Sequence, residues 1–133
     1  MGETLKLAAV GALAFMVLDG LWLGVLMKNF YRDQLAPIVR LSDGGIAPNW
    51  PAALVVYALL GAGIALFVIP RAPTLGSAAG YGALFGLVVY GVYDFTNYST
   101  LRQWPFVLTL ADVAWGTAAT AAASAAVRIV ARW

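Results

Sequence analysis

The sequence contains neither cysteine nor histidine. Those two absences remove disulfides, soft metal ligands, haem ligation through imidazole or thiolate, and the usual base of neutral pH. Charge is scarce as well: eight basic and six acidic residues make up 11% of 133, against about 25% in a soluble domain. The basic residues fall singly rather than in a patch, so nucleic acid is not an expected partner. Three aspartates without a spaced ligand motif are a poor basis for a Mg²⁺ or Ca²⁺ site, and no cofactor or metal is expected.

What fills the chain instead is apolar. Hydrophobic side chains make up 62%, and 14 glycines lift the apolar share to roughly 73%, well above the ~45–50% of soluble proteins. A soluble domain of this length would leave much of that surface facing water with nothing to cover it. The composition is that of an integral membrane protein, which excludes ordinary soluble-enzyme and secreted disulfide-scaffold classes.

Four apolar intervals stand out, at about residues 5–27, 50–70, 75–96 and 105–129. Each has about the length needed to cross ~30 Å of hydrocarbon at 1.5 Å per residue. Four strands cannot close a transmembrane barrel, so helices remain. Pro51 stands in the first turn of the second interval, and Pro70, Arg71 and Pro73 punctuate its end. The first interval lacks the layout of a cleaved leader, since Ala12 and Ala14 precede Asp19-Gly20-Leu21-Trp22, and is read as mature structure. The expectation is an all-α, four-helix antiparallel membrane bundle forming one transmembrane domain over residues 1–133.

The sizeable loop runs from Lys28 to Asn49. Its first part, to Arg40, mixes apolar and basic residues as a short amphipathic helix in the interface does, with an irregular loop as the alternative. Tyr31, Arg32 and Arg102 are read as interfacial anchors, and Ser42-Asp43-Gly44-Gly45 as a turn. Lys6, Arg71, Arg128 and Arg132 fall on one side and Lys28, Arg32, Arg40 and Arg102 on the other. That balance sets no orientation; the terminal amine tips the expectation toward both termini inside. Gly20 and Gly24, Gly76 and Gly80, and Gly82 and Gly86 repeat at a spacing that lets membrane helices approach closely.

Asp19, Asp94 and Asp112 are the residues out of place. An ionised aspartate at mid-membrane costs about 2.5–3.5 kcal/mol on insertion scales, so such groups are paired, neutral or near water. Antiparallel threading puts Asp19 before the exit of the first helix, Asp94 near the exit of the third and Asp112 after the entry of the fourth. All three then share one half of the bilayer. Trp22 follows Asp19 by three residues and Trp115 follows Asp112 by three, each on its aspartate's helical face. Tyr90, Tyr93, Asn97 and Thr109 add hydroxyls and an amide.

These groups define a candidate polar cluster that binds a lipid headgroup or small polar ligand. Interhelical hydrogen bonds worth about 0.6–2 kcal/mol each are the structural alternative, and a proton or small-solute route through an oligomer is another. An accessory subunit of a larger membrane complex is favoured by the small size and the alanine-rich fourth helix. An enzyme here would work with carboxylates, tyrosines and arginines alone, Asp94 and Asp112 sharing a proton and Arg32 or Arg102 holding a phosphate. Membrane lipids are the expected partners, with a homo-oligomer or larger complex open.

The stretches Leu18-Asp19-Gly20-Leu21-Trp22-Leu23-Gly24, Phe30-Tyr31-Arg32, Tyr90-Gly91-Val92-Tyr93-Asp94-Phe95-Thr96-Asn97 and Asp112-Val113-Ala114-Trp115-Gly116-Thr117 occur in this order. In these the chain resembles, over nearly its whole length, a bacterial family of predicted membrane proteins, domain of unknown function 2177. The resemblance implies a small multi-pass protein of the bacterial inner membrane. It carries over no activity.

Overall fold

The computed structural model describes residues 2–42 and 45–131. Its order is helix α1 (Gly2–Leu21) running into a π-helical turn (Trp22–Leu26), the short helix α2 (Lys28–Leu35), strands β1 (Leu41–Ser42) and β2 (Gly45–Ile46), and helix α3 (Trp50–Gly63). A second π-helical turn (Ile64–Val68) and a 3₁₀ turn (Ile69–Arg71) close the second span, and helices α4 (Leu75–Thr100) and α5 (Phe106–Val130) follow. Four helical stretches, Gly2–Leu26, Trp50–Arg71, Leu75–Thr100 and Phe106–Val130, are long and apolar enough to cross a membrane. The fold is the expected all-α membrane bundle, with spans close to the expected bounds.

Local chemistry explains the helix ends. Asn49 accepts the Ala52 amide at 3.2 Å ahead of Pro51, which has no amide hydrogen to lose in the first turn. Thr74 and Ser77 form a reciprocal capping box that starts α4 directly after the 3₁₀ turn. Helix α4 runs on to Thr100, four residues past the expected end, and the Ser99 and Thr100 hydroxyls both donate to the Thr96 carbonyl. The polar sequence after Asp94 therefore prolongs the helix instead of breaking it.

The first loop differs from its expected form in two ways. Its amphipathic helix ends at Leu35, and Pro37 follows two residues later, where a helix rarely continues. A two-residue hairpin, Leu41 opposite Ile46 and Ser42 opposite Gly45, then interrupts the otherwise all-helical chain. Asp43 and Gly44 of the expected turn lie outside the described residues, as does Arg132 of the charge count.

Packing is uneven around the bundle. Helix α5 lies along α4, α1 lies against α3 and α5, and α4 meets the second span chiefly at its closing turns. Along the α4–α5 seam, a Cβ on Gly82 would collide with Ser124 and the Thr120 carbonyl, and one on Gly86 with the Gly116 carbonyl and Thr120. Gly61 presses α3 on α1 at Ala8 and Ala12. Close backbone approach of this kind replaces the hydrophobic drive that lipid does not supply. The other two glycine pairs do not pack: among the described residues, nothing lies within 4 Å of a Cβ on Gly20, Gly24, Gly76 or Gly80, because each lies on the outer side of its helix.

Candidate functional site

At the end of the bundle that carries α2, the seams open and polar side chains meet. Asp19 is 8% exposed. It receives two hydrogen bonds, from Tyr57 Oη to Oδ2 at 2.7 Å and from Trp115 Nε1 to Oδ1 at 3.0 Å. Asp112 receives one at Oδ1 from Tyr31 Oη at 2.8 Å, and that same hydroxyl accepts from Trp22 Nε1 at 2.9 Å. Five of these six groups sit on three different spans, and the sixth, Tyr31, comes from the loop helix.

The bonding is crossed. Trp22 does not serve Asp19, its partner in sequence, and Trp115 does not serve Asp112. Helices α1 and α5 run in opposite directions, so three residues, or about 4.5 Å of rise, carry Trp22 toward the membrane surface but Trp115 away from it. Trp115 therefore comes level with Asp19, and Trp22 level with Tyr31 and Asp112. The two indoles stack face to face between the carboxylates, 4.4 Å apart and 3° from parallel. The π-helical turn that begins at Trp22 closes with the Met27 amide on the Trp22 carbonyl at 2.7 Å. Such turns insert an extra residue per turn and recur at functional sites.

Asp94 lies against the Asp112 carboxyl but is completely buried. Apart from that neighbouring carboxyl, neither of its oxygens has a hydrogen-bond partner among the described residues. A buried carboxyl without a donor is costly in protein interiors and more so in hydrocarbon.

The remaining expected site residues separate into near and far. Tyr90 and Tyr93 line the same space as Asp19 and Asp112; Tyr90 also packs on Phe15, and Tyr93 meets Trp104 edge to face. Thr109 is buried, but its hydroxyl accepts Trp104 Nε1 at 3.0 Å and turns back to the Pro105 carbonyl, so it braces the start of α5 rather than the aspartates. Asn97 is half-buried, one turn beyond Tyr93. Arg32 pairs with the neighbouring Asp33 at 3.1 Å, and Arg102 is exposed on the α4–α5 loop; neither lines the cavity.

Tyr31 corrects the expectation placed on it. Read as an interfacial anchor, it is 5% exposed and bridges Trp22 to Asp112, because α2 folds back over the bundle and turns this residue inward. Burial, then the Asp112 carboxyl beside it, hold the Tyr31 hydroxyl above its ordinary titration range, so it stays a proton donor. Tyr57 and Trp104 went unnoticed in the sequence. Tyr57 is the one tyrosine inside an otherwise polar-poor second span, and that isolation was the available signal.

Beside this network is a cavity of about 600 Å³, within the ~300–1,000 Å³ of small-ligand sites. Asp19, Tyr31 and Asp112 contribute its polar patch. Leu59 and Leu60 of α3 face Phe85 and Val89 of α4 across it, while Leu35 of α2, Val39 and Ile46 roof it. The Phe85 ring occupies the space beside Gly63, closing the floor.

Fold and site together define a small membrane protein of four apolar spans with a polar cluster inside the bundle. The chain belongs to the family of predicted membrane proteins designated DUF2177, whose model matches residues 4–129. No curated protein and no solved structure matches it.

Proposed function

We propose that the protein is a ligand-binding module of the membrane, in the bacterial inner membrane as the family resemblance implies, and that the Asp19–Tyr31–Asp112 patch receives a small polar ligand or lipid headgroup. The observation that carries this reading is the meeting of two carboxylates and a buried tyrosine on the wall of an otherwise apolar cavity. Aspartates that served only to clamp helices would close on one another and leave no such volume, since protein interiors pack densely. Here aromatic rings hold the spans apart at the level of the carboxylates.

The test is retention. Wild-type protein extracted with its native lipids and examined by native mass spectrometry should carry a bound small molecule. Asp112→Asn, which keeps the side chain's shape, should reduce occupancy at least about tenfold while the protein stays folded. Equal occupancy in wild type and in Asp19→Asn and Asp112→Asn variants, with thermal stability lowered in both, would make the cluster a helix clamp.

A second reading is supported by Asp94, a buried carboxyl against Asp112 with no other hydrogen-bond partner among the described residues. Intramembrane carboxyl chains of that kind carry protons in pumps and transporters. Under this reading, vesicles containing an oligomer of the protein pass protons, and Asp94→Asn abolishes the flux. Vesicles with wild-type protein that are no leakier than empty ones rule it out.

A further inference from the structure

We infer that the ligand is a single-chain amphipath whose head is a phosphate-free hydrogen-bond donor, a hydroxyl or an amine, and that it enters sideways from the bilayer between α3 and α4. This rests on the ligand-binding reading above and adds to it the chemical class and the route.

The head group follows from what the polar patch offers. Asp19 and Asp112 are acceptors; the Tyr57, Trp115 and Tyr31 donors nearest to them are already spent on those carboxylates, and the Trp22 N–H is spent on Tyr31. Asp94 lies against Asp112, buried and with no other hydrogen-bond partner among the described residues. Among the described residues, no lysine or arginine lines the cavity. The uncharged Tyr90 and Tyr93 hydroxyls are the other polar groups on the wall, so a phosphate or carboxylate entering this site would meet two like-charged carboxylates with no cation to offset them, a penalty that disfavours anions. A hydroxyl or an ammonium group donates, and the remaining lone pairs of the carboxylate oxygens are the acceptors the patch offers it.

The chain follows from the rest of the wall. Away from the patch, the lining is aliphatic or aromatic, from Leu60 and Phe85 at the floor to Ile46 at the roof. A small polar solute would leave that surface without a partner; a hydrocarbon chain covers it.

The route follows from the packing of the spans. Helix α4 meets the second span chiefly at the closing turns, Ile64–Val68 and Ile69–Arg71. Above them, the two helices part, and α2 with the hairpin covers the end of the cavity rather than its side. Val56 and Leu59 line the cavity yet remain 52% and 66% exposed, as wall residues do at a lateral opening. The open side therefore faces the hydrocarbon, where an amphipath already resides.

The experiment uses the full chain in phosphatidylcholine nanodiscs, with empty nanodiscs subtracted. It is titrated with monopalmitoylglycerol, hexadecylamine, palmitate and free glycerol, and binding is read by tryptophan fluorescence and by the thermal midpoint. Saturable binding of the first two, at least about tenfold tighter than palmitate and absent for glycerol, is the expected result. Leu59→Trp, which narrows the gap without touching the polar patch, should weaken the glycerol ester about tenfold. Palmitate binding as tightly as the ester overturns the donor-head assignment. Glycerol binding as tightly as its ester overturns the chain and leaves the polar-ligand reading standing. An ester affinity unaltered by Leu59→Trp overturns the lateral route. Failure of every probe to saturate, together with no bound species in native extracts, removes both this inference and the reading beneath it.

Discussion

From the middle of the spans toward the turn between the second and third, helices meet backbone to backbone through Gly61, Gly86 and Gly82; toward the end that carries α2, they meet through tyrosine and tryptophan rings that bridge carboxylates. The first kind of contact leaves no room and tolerates no added atom. The second kind spends large side chains to hold helices at a distance, and a cavity of about 600 Å³ results. The contrast teaches that close packing and ligand space have been assigned to different levels of one short bundle.

Five substitutions sharpen or break that contrast. Gly86→Leu drives a side chain into the Gly116 carbonyl and Thr120 and should cost about 3 kcal/mol, the largest effect, seen as a steep fall in thermal midpoint in mild detergent. A loss as small as that of the aromatic-end variants would show that the two ends bear load alike. Asp19→Ala strands the Tyr57 hydroxyl and the Trp115 indole and should cost about 2 kcal/mol, with the Trp115 emission shifted; an unshifted spectrum would deny the contact.

Tyr31→Phe removes the bond to Asp112 and leaves Trp22 without its acceptor. It should cost about 1 kcal/mol, and faster hydrogen exchange confined to residues 28–35 is the measurement. The same variant tests pH. The folded state holds the Tyr31 proton more tightly than the unfolded chain, so stability from this group is whole below about pH 10 and declines as pH rises above it. Tyr31→Phe should make that alkaline decline shallower, and an identical slope would remove Tyr31 from it. Smallest of all, Gly76→Ala and Gly80→Ala face open space and should move stability by no more than about 0.5 kcal/mol; a larger loss would reveal a partner seated on that face of α4.

Much of this arrangement was legible in the residues. Hydropathy and proline punctuation place the four spans, and counting residues from each helix end puts Asp19, Asp94 and Asp112 in one half of the bilayer, because rise per residue is nearly constant in helices. Pairings between helices were not legible. Whether Gly82 or Gly76 touches a neighbour depends on how α4 is rotated about its axis, and the glycine spacing is the same at both. The Asp-x-x-Trp repeats point to a donor for each carboxylate, yet Asp19 takes its indole from the opposite helix and Asp112 is reached by Trp22 only through Tyr31, a consequence of antiparallel packing that local spacing does not express. Tyr31 was hidden for a different reason: a residue flanked by Phe30 and Arg32 in a polar loop reads as a surface anchor until the loop is seen to fold inward.

The crossed tryptophans give the bundle a vernier. A slide of α1 along α5 by one helical turn, about 5.4 Å, would pull Trp115 off Asp19 and Trp22 off the tyrosine bridge together and break the ring stack in the same motion. Small errors of axial alignment are thus penalised at several places simultaneously, so the depth at which the carboxylates sit is fixed by the protein itself and not by the thickness of the bilayer around it.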